Sequence, residues 1–280
     1  MSTYIINLDK SIYPGGTSEA QVAIEEKGLV IERSFRLALM FRVQGDEQTV
    51  ASLPGLMHME NAGSPHNVSL QNLNLDHLNL TVDPANQTIF NPKYTGNGVG
   101  IYLVDTGIKS SHIEFESSTI TDLYSNFNSD FDDDVGHGTA MASLIVGKNL
   151  GSSKNAHLYN VKLFNNNSDT STIGEILAAF DEILNHHLNN DPSKIRIICT
   201  PWVLDYNELI NDAVAGLLAE GLVLVCAAGN SGSNISSVSP ASVKSVITVG
   251  AYNRNFEVTS FTNTPWTGTE PTSPSFVNYG

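Results

Sequence analysis

Residues 98–107 read GVGIYLVDTG. A short, almost wholly apolar run with no polar alternation describes a strand buried on both faces, and such strands belong to parallel sheets covered by helices. The run stops at Asp105, Thr106 and Gly107, so an acid stands where the strand ends. In open α/β sheets, sites form beyond the carboxyl ends of the strands, and the residues just after each strand are the ones to weigh.

The pattern returns downstream. AHLYNVKLF (156–164), IRIICT (195–200), LVLVCAA (222–228) and SVITVGAY (245–252) are further apolar strand candidates. Helices fall between them. One opens at His137 within DVGHGTAMASLIVG (134–147). Thr172 and Glu175 form a capping box before IGEILAAFDEILNHH, where Ile173, Ile176, Leu177, Phe180, Ile183 and Leu184 share one face. NELINDAVAGLLAEG (207–221) is amphipathic and closes on Gly221. Strands alternating with helices predict an α/β fold, a mostly parallel sheet with helices on both faces.

Upstream the rhythm differs. Residues 1–66 read as a strand (TYIINL), a helix with a Ser18–Gln21 capping box and Gly28 at its end, two strands (LVIERSF, LALMFRVQ), a short helix from Asp46 to Ala51, and a strand (GLMHME). This β-α-β-β-α-β order is a small α+β unit. Residues 67–96, rich in Asn, Ser and Pro, read as linker and surface wrap, and 97–280 as the α/β domain.

A chain of 280 residues is enough for one large domain, or for one domain plus a small one. Its formal net charge of −15 opposes binding to nucleic-acid phosphates or to an anionic membrane surface. No apolar run approaches the ~20 residues of a membrane span. The N-terminus, MSTYIINLDKS, lacks the basic-then-apolar layout of a signal peptide, which favours an intracellular location. Cys199 and Cys226 lie inside apolar runs and read as free buried thiols.

Three features stand where chemistry belongs: Asp105 at a strand end, His137 between Gly136 and Gly138 at a helix start, and Asn230 after the AAG that ends another strand. Each has a plain reading, since Asp opens turns, Asn-Ser-Gly makes turns and a loop histidine caps helices. In type, order and setting together, VDTGI with SHIEF after it, GHGTAMASLIVG, LYNVKLF and VLVCAAGNSG resemble the subtilisin-like serine proteases, from about Leu73 to Gly280. The N-terminal unit resembles that family's inhibitory prodomain in layout.

The resemblance implies a serine endopeptidase acting on peptide or protein substrates. His137 would be the base that takes the serine proton, with an unperturbed pKa of ~6.5 suited to neutral pH. Asp105 would fix its tautomer, Asn230 would donate to the oxyanion, and Gly136 and Gly138 would leave room for the peptide. No nucleophile is found: the family's GTSxA-type motif is absent and SFVNYG (275–280) resembles the segment before it. The expectation is a chain with a true start at Met1 that stops short of its serine and is inactive alone. Where the family carries S-x-G-G, this chain has TPWV (200–203), so Thr200, Pro201 and Trp202 are expected to border the substrate, with Trp202 filling space and Pro201 lacking a backbone donor.

By the same resemblance the prodomain is an intramolecular inhibitor whose tail lies in the cleft, cut off somewhere from Asn61 to Asn72. No cofactor is required for the chemistry. Many family members bind calcium, but no site maps onto particular residues, and DFDDD (130–134) reads as a solvated acidic loop for want of regular ligand spacing. His186 and His187 read as structural, His112 as a surface residue, and His58 and His66 as candidates, on residue type alone, for a pH response of prodomain release. Two rivals stand beside the protease: a catalytically dead subtilisin-like scaffold that binds peptides or a partner, and an unrelated nucleotide-binding α/β protein. The second is opposed by DTGIKSS, which is no G-x-G-x-x-G loop.

Overall fold

The computed structural model describes residues 2–67, 69–70, 94–165, 170–191, 194–251 and 258–264. The first unit contains β1 (Ser2–Leu8), α1 (Thr17–Glu26), β2 (Val30–Phe35), β3 (Met40–Gly45), α2 (Glu47–Ala51) and β4 (Leu56–Asn61). Its strands form an antiparallel sheet in the order β2-β3-β1-β4. Tyr4, Ile6 and Leu8 point to one face and pack with Ala20 and Ile24 of α1 and Val50 of α2. Ile5, one residue out of step, faces the other way and joins the core of the second unit. The expected Ser18–Gln21 box does not form. The helix starts two residues earlier, after Gly16 at φ 68, with no side-chain cap. Gln21 instead donates to Ser34 Oγ at 2.9 Å, because the sheet beneath offers a partner that the sequence pattern does not contain.

Two short strands follow, β5 (Pro65–Asn67), which straddles the expected boundary at 66, and β6 (Ser69–Leu70), within the stretch read as linker. Of that stretch, 68 and 71–93 lie outside the described residues. The second unit then runs β7 (Gly100–Asp105), β8 (Thr119–Ser125), α3 (His137–Val146), β9 (His157–Lys162), β10 (Thr170–Thr172), α4 (Ile173–Asn189), β11 (Arg196–Thr200), β12 (Trp202–Asp205), α5 (Glu208–Ala219), β13 (Val223–Ala227), β14 (Val238–Ser239) and β15 (Ile247–Val249). Six of these strands form a sheet in the order β15-β13-β11-β7-β9-β8, parallel throughout. Tyr102, Val104, Tyr159 and Val161 lie on the face covered by α4 and α5. Ile101, Leu103 and Leu158 lie on the face covered by α3. The edge strand β8 has no counterpart in the sequence reading, since its TITDLYS is exposed or half-buried throughout and carries little apolar signal.

The expected capping box is present at the start of α4, where Thr172 Oγ1 accepts from Glu175 N–H and the Glu175 carboxylate accepts from Thr172 N–H at 2.7 Å. Cys199 and Cys226 are free, and burial pushes both thiols up to about 12.

The first unit seats its second face on α4 and α5. Phe35, Leu37, Met40 and Ala62 join the core that contains Ile176, Ile210, Ala213 and Leu217. Polar contacts surround this apolar centre: Asn7 donates to Asp212 at 2.6 Å, Arg33 pairs with Asp181 at 3.1 Å, and Asn207 donates to Glu60 at 2.7 Å. His58 lies 3.7 Å from Asp212 across this boundary, whereas His66 bonds Glu60 within the first unit's own end. Leaving the seat, β5 pairs antiparallel with β10, and β6 pairs antiparallel with β12.

Gly216 of α5 lies close against the first unit, since a Cβ there would run into the carbonyl oxygen of Leu37. Alanine raises helix propensity by up to about 1 kcal/mol over glycine, but overpacking of a tight contact costs about 1–3 kcal/mol. Gly216→Ala is therefore expected to lower stability in urea unfolding, and to loosen the first unit as judged by hydrogen exchange of β2 and β3.

Candidate active site

Asp105 ends β7 and His137 opens α3, and both stand at the carboxyl rim of the parallel sheet. The Asp105 side chain is 1 % exposed and the His137 side chain 6 %. His137 Nδ1 lies 2.7 Å from Asp105 Oδ1 and 2.9 Å from Oδ2. Thr106 N–H also donates to Asp105 Oδ1, at 2.7 Å. Taking Nδ1 as the donor leaves Nε2 as the basic nitrogen, and Nε2 has no hydrogen-bond partner among the described residues.

Burial works against the charged form of both groups. For His137 that lowers the pKa, but the hydrogen bond and charge of Asp105, with a further contribution from Asp133, outweigh it and hold the imidazole above its ordinary value. For Asp105 burial raises the pKa, and the bonds from His137 and Thr106 only partly offset it.

A second carboxylate, absent from the sequence reading of the site, joins strand to helix. Asp133 accepts from Thr106 Oγ1 at 2.8 Å, from Val135 N–H at 3.0 Å, and from Gly136 N–H and Thr139 N–H, each at 2.8 Å. Burial pushes its carboxyl up, but the bonds from Thr139, Gly136 and Thr106 outweigh that and hold it below the usual range. Thr106 Oγ1 in turn accepts from Gly138 N–H at 2.9 Å. The acidic run around Asp133 is thus not simply solvated: Asp130 and Asp134 pair with the fully buried Lys162 ammonium at 3.1 and 3.4 Å. Among the described residues no group of three or more His, Cys, Asp or Glu side chains is placed to hold a metal ion.

The glycines beside His137 have local reasons of their own. Gly136 sits at φ 97, the left-handed region that glycine adopts without strain. A Cβ on Gly138 would collide with the Gly107 carbonyl, so its lack of a side chain lets α3 meet the end of β7.

Asn230 follows β13 at the same rim and is half-buried. Its loop is held by Asn263, whose Oδ1 accepts from Ser231 N–H at 3.1 Å and Ser233 N–H at 3.0 Å. No local pattern could have flagged a residue so distant in sequence. Thr200 is buried at the end of β11. Trp202 departs from the expectation that it fills the wall of the cleft. Its main chain pairs with Leu70, but its side chain is fully buried, edge-on to Phe164 at 5.6 Å and stacked on Phe180 at 6.4 Å. The apolar layer between β12 and α4 has room for an indole, and burying it there removes its area from water.

The other histidines have structural partners. His187 Nε2 lies 3.1 Å from the Glu220 carbonyl, His186 Nδ1 lies 2.9 Å from Tyr102 Oη, and His112 Nδ1 accepts from Glu114 N–H.

Residues 96–280 match the sequence profile of the Subtilase family, Peptidase S8. The chain belongs to the subtilase family. It is 35% identical over 169 residues to Subtilisin-like protease 3 of Pseudogymnoascus destructans, covering 60% of this chain and 41% of that protein. With Alkaline proteinase of Hapsidospora chrysogena the identity is 36% over 168 residues, covering 60% and 41%. Subtilisin-like protease 2 of Trichophyton verrucosum is 34% identical over 200 residues, covering 70% and 44%. The matched region thus spans less than half the length of these curated relatives. Among solved structures, a cold adapted subtilisin-like serine proteinase superposes with a TM-score of 0.58 at 28% identity, covering 67% of each chain. The epidermin leader peptide processing protease of Staphylococcus aureus superposes with a TM-score of 0.65 over 94% of this chain and 72% of that one, and at 15% identity it speaks for the fold alone.

With its pKa raised in the folded subtilase, His137 contributes stability that is complete below its unfolded pKa of about 6.5 and lost as pH climbs through the folded value. The raised pKa of Asp105 acts in the same direction. Thermal unfolding of Asp105→Asn against the parent should therefore show a gap that is widest near pH 6 and narrows toward pH 9.

Proposed function

We propose that this chain carries two members of the catalytic triad of a serine endopeptidase, together with its own inhibitory prodomain. The observation that carries the reading is the buried pair Asp105–His137, with Nδ1 held by the carboxylate at 2.7 Å and Nε2 facing no described partner. In this reading Nε2 takes the proton of a serine hydroxyl as it attacks the scissile carbonyl, then returns it to the leaving amine. Asp105 stabilises the imidazolium formed in between, and its raised affinity for that proton suits His137 to act as base near neutral pH. The Asn230 amide donates to the oxyanion of the tetrahedral intermediate, a contact whose loss typically costs about 10²–10³ in kcat. On this reading the 280 residues supply the base, its orienting acid and the oxyanion donor, and the nucleophilic serine is the partner that the Nε2 nitrogen awaits. On this reading the chemistry of the triad requires no cofactor.

The first unit, residues 1–66, acts as the prodomain, 67–96 as the connection and 97–280 as the protease domain. The path of the tail supports this. An extended peptide lying between β10 and β12 is bound by main-chain ladders, as a substrate strand is in recognition by strand addition. The main chain of Pro65–Asn67 pairs with Thr170–Thr172, and that of Ser69–Leu70 with Trp202–Val203. The substrates are peptides or proteins that take the same place once the tail has left.

Two experiments test this. A chain continued past Gly280 should react with a serine-directed phosphonate, and His137→Ala should abolish the labelling; a continuation with no serine motif, or one that never labels, defeats the triad. Incubation of the labelling-competent protein should expose a new N-terminus after a cut between Asn61 and Asn72, and an uncut window would remove the prodomain assignment.

A further inference from the structure

The Pro201–Trp202 pair has a role that its place beside the cleft does not suggest. In a parallel ladder, alternate carbonyls of a strand face its two neighbours. The Asp105 carbonyl accepts from Leu163 N–H at 2.8 Å, on the β9 side, so the Val104 carbonyl faces β11. The β11–β7 register sets Cys199 opposite Leu103. Carried one step further, that register makes residue 201 the backbone donor to Val104. Residue 201 is proline and has no N–H. The indole Nε1–H of Trp202 donates to the Val104 carbonyl instead, at 2.8 Å.

We propose that Trp202 is a positioning residue for Asp105: its indole N–H replaces the backbone donor that Pro201 removes, and so holds the peptide unit that presents the Asp105 carboxylate to His137. The Val104 carbonyl and the Asp105 N–H belong to one planar unit. Fixing that carbonyl fixes the plane on which the Asp105 Cα turns, and with it the direction of the side chain. Phe164 and Phe180 pin the indole, and a fully buried ring has little freedom to release its bond. In consequence for catalysis the inference rests on reading Asp105–His137 as part of a triad. The geometry itself does not, and the test reads the pair without turnover.

The charged groups acting on the His137 ring are Asp105 from β7 and Asp133 from the loop before α3. The Cys199 thiol on β11 stands near Asp105 and stays protonated, its pKa raised to about 12. In the 280-residue chain, the titration of His137 is followed by NMR of labelled histidine, with its signal assigned by loss in His137→Gln. Trp202→Phe keeps a ring against Phe164 and Phe180 but has no N–H, and the His137 midpoint should fall by about half a unit. Adding Pro201→Ala to Trp202→Phe returns a backbone donor to Val104 and should restore the midpoint. Phe180→Leu, which loosens the packing and leaves the indole bond, should lower Tm without moving it. A folded Trp202→Phe chain whose His137 titrates as the parent does would overturn the proposal. Should Trp202→Phe fail to fold, the parent chain still decides. Trp202 is one of only two tryptophans, so its indole N–H signal is readily assigned. That signal should inflect at the His137 midpoint, and a flat response would equally overturn the proposal. Loss of phosphonate labelling in a continued chain would bear on the triad and leave this result untouched.

Discussion

The Asp105 carboxylate lies 1 % exposed at the end of a strand whose other side chains are apolar, and it can carry charge there only while hydrogen bonds stand in for water. Two of those bonds come from the Thr106 N–H and the His137 ring. The first is local to the turn after β7, and the second depends on the meeting of β7 with α3. That meeting needs a residue without a side chain at Gly138, and it needs Asp133 to bind both the turn after β7 and the first turn of the helix. One buried acid therefore sets the contact geometry of a strand, a loop and a helix. The Lys162 ammonium at the next strand's end anchors the same loop through Asp130 and Asp134.

The N-terminal α+β unit is built on a different balance. One face of its sheet is closed by its own two helices. The other is completed only by α4 and α5, and Ile5, Leu37 and Met40 are buried in a core that includes residues of those helices. Around this apolar seat the polar contacts are few and specific: Asn7 and His58 at Asp212, Arg33 and the Arg36 N–H at Asp181, and Asn207 at Glu60. An interface of this kind is tight while the apolar area is covered. The segment that follows is held differently, by the main-chain ladders of β5 with β10 and β6 with β12.

Much of this architecture could be read from residue patterns. The apolar runs at β7, β9, β11 and β13 mark buried parallel strands because strands covered by helices on both faces are predominantly apolar. The Thr172–Glu175 box marks the start of α4 because its partners are three residues apart. Where a partner lies far along the chain the pattern was silent or misleading. Ser18 and Gln21 have the spacing of a cap, but Gln21 turns to Ser34 on a neighbouring strand. The edge strand β8 is recruited by β9 with little apolar content of its own.

At the rim, Asp105, His137 and Asn230 each have an ordinary turn or cap reading by residue type, and it was the resemblance of the motifs VDTGI, GHGTAMASLIVG and VLVCAAGNSG that drew them together. Asp133 as the joint, Asn263 as the brace of the Asn230 loop, the inward turn of the Trp202 indole and the pairing of residues 65–70 all required the folded chain. Local periodicity records which side of an element is apolar. It does not record which backbone groups a distant neighbour leaves without a partner, and those groups determine where the remaining polar atoms must go.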